Sequence, residues 1–135
     1  MLKGKRNLNT AILILLFVVG LINFLPVIGV LSAEKLMTAY TVDLVGNDII
    51  ILMRHRALLF GIVGGFIFFS LFKPAYQEAA MIMAGVSMVG FLYFVWAVDG
   101  HNNSISKIAM IDVIGIICLL LAAILKYVSE TTTSS

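Results

Sequence analysis

The chain has 135 residues, of which 61% are hydrophobic and only 12% charged, and its mean hydropathy is +1.11. Soluble domains average about half apolar and about a quarter charged residues, and so short a chain has too little interior to hide such an excess from water. A net charge of +2 from scattered basic residues gives no basis for nucleic-acid binding, and the lone Cys118 excludes an internal disulfide or a thiolate metal cluster.

Lipid is therefore the expected solvent, and a helix needs about 20 apolar residues to cross it. After the basic head Lys3, Lys5 and Arg6, the first such helix is predicted over about 10–31. Its apolar run exceeds the roughly 7–15 residues of a signal core, and Leu31-Ser32-Ala33 makes a poor cleavage site, so it is expected to be retained. Pro26 is predicted to kink this helix just beyond Asn23 and to free a backbone carbonyl. Residues 32–48 read as a loop in which Glu34, Tyr40 and Asp43 are candidates for a lid. The second helix is predicted over about 49–72 and is broken by Lys73-Pro74, because proline disfavours helix before it. In the third, about 76–98, Gln77 and Glu78 suit the positive end of the helix dipole. The run Asp99-Gly-His-Asn-Asn-Ser104 is rich in turn formers, with Ser104 the expected cap of a fourth helix over about 105–127. Cys118 falls inside that helix and reads as a small buried hydrophobe. Residues 130–135 form a polar tail with no reason to order.

Short turns place neighbouring helices antiparallel, so the expected fold is all-α: a single membrane domain, an integral four-helix up-down-up-down bundle. Lys3, Lys5, Arg6, Lys73 and Lys126 then share one side, against Lys35 and Lys107 on the other, which places both termini in the cytoplasm. Tyr76 and Tyr127 fall at one interface and Trp96 at the other, as in an aromatic belt.

The informative residues are those that carry charge where charge is expensive. Arg54-His55-Arg56 lies inside the second helix and Asp112 inside the fourth. At the helical rise, Arg54 is about 9 Å, and Arg56, Asp112 and Asn23 each about 12 Å, from the same predicted boundary. Spacing alone therefore predicts a polar layer of Asn23, Arg54, His55, Arg56 and Asp112 in the outer half of the bundle. Ala57, Gly61, Gly64 and Gly65 form a small face beside Arg54, and Ala109, Asp112, Gly115 and Ala122 share a face of the fourth helix. The expected contact is an Arg54–Asp112 ion pair. Arg56 then snorkels to outer headgroups or pairs with Asp48 or Asp99. Asp99 and His101, with Glu34 and Tyr40, are placed at the rim or lid of the layer.

Two readings of the layer stay open. The charges either fix helix register and bind lipid phosphate, or they line a water-accessible cavity for an anionic, lipidic or quinone ligand. His55, His101, Asp99 and Asp112 lack metal-ligand spacing, so no metal is expected. No nucleophile elbow, HExxH, phosphate loop or CxxC is present, and no cofactor is expected.

The stretch Leu52-Met-Arg-His-Arg-Ala-Leu-Leu-Phe-Gly61, the loop Leu31-Ser-Ala-Glu-Lys-Leu-Met-Thr-Ala-Tyr40 and Ile111-Asp-Val resemble a group of small bacterial four-helix inner-membrane proteins. Some of that group carry a phosphopantetheine adenylyltransferase label, an activity whose His-x-Gly-His motif this sequence lacks. The architecture is also similar to DoxX-like membrane proteins, which implies a link to quinone-coupled electron transfer at the level of fold alone. The expectation is a multi-pass protein of the bacterial inner membrane, without catalytic chemistry, acting as an accessory subunit or a lipid- or solute-binding module. Membrane lipids, a quinone or lipid ligand, and a second copy or another membrane protein are the partners considered. A redox enzyme acting on a quinone or lipid and a small oligomeric transporter are the alternatives.

Overall fold

The computed structural model describes residues 2–134 and is all-helical, with no strand among the described residues. Helix α1 (Leu2–Phe24) gives way to a 3-10 turn at Leu25–Val27 and then to the single turn α2 (Ile28–Leu31). The break coincides with Pro26 at the start of the 3-10 turn, where the ring's missing N–H donor interrupts the helical ladder. Ser32 is extended, and its hydroxyl accepts from the backbone N–H of Lys35 at 3.4 Å, which starts α3 (Ala33–Tyr40). Helix α4 (Asn47–Phe72) ends at Lys73, and a 3-10 turn at Pro74–Tyr76 leads into α5 (Gln77–Ala97). Helix α6 (Asn103–Ser134) completes the described chain.

Four stretches are long and apolar enough to cross a membrane: Leu2–Leu31, Asn47–Phe72, Pro74–Ala97 and Asn103–Thr132. Only 22% to 28% of each apolar window is buried inside the chain, so most of its apolar side chains face outward.

Helix α1 packs against both α4 and α6, and α5 closes the ring against the same two helices. Small residues set the approach of α1 to α4. A Cβ at Gly64 would lie 2.6 Å from the backbone nitrogen of Phe24 and 2.7 Å from its Cα, a clash that no side-chain rotation relieves. Ala57, Gly61 and Gly64 are buried as the sequence suggests, while Gly65 is only half-buried and has open space around it. Asp112, Gly115 and Ala122 are likewise buried on one face of α6, with Ala109 half-buried beside them. One half of the bundle is an apolar core that includes Leu16, Val19, Ile67, Ala84 and Met88. The other half holds a second cluster of Leu36, Tyr40, Leu44 and Ala57, through which α3 seats itself.

Two expectations are corrected. The segment 32–48 is not simply a loop: its first part is α3, whose Leu36 and Tyr40 lie one turn apart and bury together. The tail expected to be disordered over 130–135 is helical through Ser134, and residue 135 lies outside the described residues. Lys126 and Glu130 pair at 3.2 Å across one turn, and the hydroxyls of Thr131 and Thr132 bond back to the carbonyls of Tyr127 and Val128.

Candidate ligand cavity

Asn23 stands near the C-terminal end of α1, where the helix approaches its proline break. It is 2% exposed, and its Nδ2 donates to the carbonyl of Val19 at 2.9 Å. Its Oδ1 is buried and accepts from no group among the described residues. Nearly all buried polar atoms find a partner, because an unsatisfied one costs about 1–3 kcal/mol. Asn23 is among the residues that line a cavity of about 290 Å³.

The cavity is built from both ends of the chain. The end of α1 supplies Asn23, the 3-10 turn after it Pro26 and α2 Gly29, while α3 supplies Leu36 and Tyr40, α4 supplies Arg56 and Phe60, α5 supplies Phe91, and α6 supplies Ile108 and Asp112. Gly29 is needed for this closure, since a Cβ there would run into the side chain of Leu36. The wall is largely apolar, with polar groups contributed by separate elements.

Arg56 is held by aromatic rings. Its guanidinium carbon lies 5.0 Å from the centroid of Phe60, and 5.3 Å from those of Tyr40 and Phe91. A cation over a ring face gains about 0.5–1 kcal/mol when exposed and about 2 or more when desolvated. The three rings thus support a half-buried charge, but they leave all five N–H donors of the guanidinium without an acceptor among the described residues. Asp112 is 8% exposed, and its carboxylate receives no hydrogen bond from the described residues. The charge of Arg56 acts on it across the cavity, yet no ion pair joins the two. The site therefore combines a cation rich in donors and a carboxylate within largely apolar walls.

The structure divides the sequence-predicted layer. Asn23, Arg56, Asp112 and Tyr40 come together at the cavity. Arg54 does not pair with Asp112: its Nε donates to the carbonyl of Val30 at 2.8 Å. Val30 lies in the last turn before Ser32, where helix carbonyls have no partner of their own, and a cation suits the negative end of the dipole. His55 is exposed and lies outside the cavity lining, as do Glu34, Asp99 and His101. His101 Nδ1 sits 3.3 Å from the carbonyl of Val98 and does no more than close the turn there.

Several members of the site were not anticipated. Phe60 follows Arg56 by one helical turn and was legible in the spacing, whereas Phe91 required the packing of α5. Asn102 ties the end of α3 to the start of α6. Its Nδ2 donates to the carbonyls of Tyr40 at 2.9 Å and Thr41 at 2.8 Å, while its Oδ1 accepts from the N–H of Ile105 at 3.0 Å. It is therefore Asn102 that caps α6. Ser104, the expected cap, instead shares a 2.7 Å hydroxyl contact with Thr41.

No protein-family model matches the chain, and neither a curated protein nor a solved structure matches it.

Proposed function

We propose that the chain is a multi-pass membrane protein that binds a small amphiphilic molecule between its helices, without chemistry of its own. The observation that carries this reading is a largely apolar cavity lined by Asn23, Arg56 and Asp112, in which neither the guanidinium of Arg56 nor the carboxylate of Asp112 has a hydrogen-bond partner among the described residues. Ligand sites commonly combine apolar walls with a few convergent polar groups, and a charge inside a membrane span is by default a functional candidate. The four apolar stretches support the membrane assignment. The cavity gathers the C-terminal parts of α1 and α5 and the N-terminal parts of α4 and α6, which favours an up-down-up-down course. The basic residues near the other end favour cytoplasmic termini in a bacterial inner membrane.

Native mass spectrometry of the protein extracted gently with its lipids tests this. The wild type should carry a defined small species that is lost in an Arg56→Ala variant and retained in Arg54→Ala. A wild type free of any bound species under conditions that preserve lipid contacts would sink the proposal.

A further inference from the structure

We infer that the molecule bound in this cavity is a single-chain amphiphile with a carboxylate head, drawn from the surrounding bilayer. The inference rests on the binding reading above and deepens it by naming the ligand's chemistry.

The charges that line the cavity are unequal. Arg56 and Lys35 are cations and Asp112 is an anion, so the lining carries one positive charge in excess, and no other charged side chain belongs to it. Arg54 stands outside the lining, held by the carbonyl of Val30. A head with a single negative charge brings the lining to neutrality. A cationic head would add to the excess. A phosphomonoester, which carries about −1.5 to −2 charges at neutral pH, would overshoot it.

The anion finds donors that nothing else occupies. Neither the guanidinium of Arg56 nor the ammonium of Lys35 has a hydrogen-bond or ion-pair partner among the described residues. Of their buried and half-buried side-chain atoms, Asn23 Oδ1 alone is both fully enclosed and unpartnered, so the nitrogens of Arg56 keep surface that a ligand can touch. Asn23 Oδ1 itself is out of a ligand's reach and has no part in the assignment. A guanidinium presents two parallel N–H donors to the two oxygens of a carboxylate, a match that a point charge does not give. Asp112 works against an anion, but the two cations outnumber it, and its carboxylate limits the site to one negative charge.

The size and the mouth fix the rest. A cavity of about 290 Å³ stands at the lower edge of small-ligand pockets, roughly 300–1,000 Å³. It takes a head and a short length of chain, not a two-tailed lipid. The exposed lining residues are Leu25, Ile28, Lys35, Ala39 and Ile111, so the mouth is apolar except for one cation. Lys35 stands on α3, outside the four spanning stretches, whereas Leu25, Ile28 and Ile111 belong to them. The opening therefore meets both the membrane surface, where an anionic head resides, and the lipid that takes the tail.

The test titrates oleate, oleamide, oleylamine and oleoyl lysophosphatidate into the delipidated full-length protein in detergent, at a pH that ionises both the acid and the amine. Binding is read by native mass spectrometry. Oleate should bind at least about tenfold more tightly than its neutral isostere oleamide, the scale of one hydrogen-bonded charge, and more tightly than the amine or the lysophosphatidate. Its advantage over oleamide should vanish in Arg56→Gln, shrink in Lys35→Gln and grow in Asp112→Asn, a ratio within each variant that loss of folded protein does not alter. Equal binding of oleate and oleamide, or tightest binding by the amine or the lysophosphatidate, overturns this inference and leaves the binding reading standing. So does an advantage left intact by Arg56→Gln or Lys35→Gln, or reduced by Asp112→Asn. Binding of none of the four also overturns it. The binding reading falls too only where the gently extracted protein likewise carries no bound species.

Discussion

Replacing Asn102 by alanine should loosen α3 from the bundle without unfolding it. The side chain makes three hydrogen bonds in opposite directions: two from Nδ2 to the carbonyls of Tyr40 and Thr41, and one accepted by Oδ1 from the N–H of Ile105. Each net hydrogen bond contributes about 1 kcal/mol, and loss of an N-cap costs about 1 kcal/mol. The two bonds that tie α3 to α6 therefore account for about 2 kcal/mol, and the cap bond is local to α6. These groups lie in a turn where water can replace part of what is lost, so the estimate is an upper one. The remaining ties are the Thr41–Ser104 hydroxyl contact and the burial of Leu36 and Tyr40. Thr41 itself has φ 52, a left-handed conformation that a β-branched residue adopts only when held there, so releasing its carbonyl also frees a strained position. At 1.4 kcal/mol per factor of ten, about 2 kcal/mol corresponds to roughly thirtyfold faster opening-limited exchange of the amides of α3. Hydrogen exchange of the protein in nanodiscs measures this, with the amides of α1 around Leu16 as the internal control. Unchanged protection over 33–40 would refute the role given to Asn102. Equal loss of protection in α3 and around Leu16 would show global unfolding in place of a local release of α3.

Helix packing and the two arginines supply further expectations. Gly64→Ala should destabilise the fold by about 1–3 kcal/mol, because its Cβ meets the backbone of Phe24, whereas Gly65→Ala has room and should be neutral or slightly stabilising; thermal unfolding in detergent distinguishes them. Arg54→Ala should lower stability by about 1.5 kcal/mol through the lost bond to Val30, with ligand retention unchanged in the mass spectrum. Arg56→Lys keeps the charge but loses the flat guanidinium that lies over three rings, and the retained ligand should fall to a minor fraction; full retention would show that charge alone suffices.

The four long helices were legible because apolar runs of this length allow few other structures, and the breaks at Pro26 and Lys73-Pro74 followed from the chemistry of proline. Helix α3 was not, although Ser32 as a cap and the one-turn spacing of Leu36 and Tyr40 are visible afterwards. A short amphipathic segment between membrane helices looks like a loop until something is found for its apolar side to cover. The tail was missed for a related reason: serine and threonine are weak helix formers in isolation, but here they continue a helix already nucleated by 20 or so apolar residues.

Depth along the helix axis was legible, and so was the small face of α4, but which helix covers that face was not. Counting residues placed Asn23, Arg56 and Asp112 at one level, and they meet there. The same count could not choose between Arg54 and Arg56, two residues and about 200° apart on the wheel. The small face of Ala57, Gly61 and Gly64 decided it, because it is consumed by α1 and carries Arg54 with it to the C-terminal turn at Val30. Arg56 is thereby turned towards α5 and α3, where Phe91 and Tyr40 wait with Phe60. One arginine closes a helix end and the other is held open, with its donors unspent. That division is the argument for reading the polar layer as a binding site: a charge needed only for register would have been satisfied, as Arg54 is.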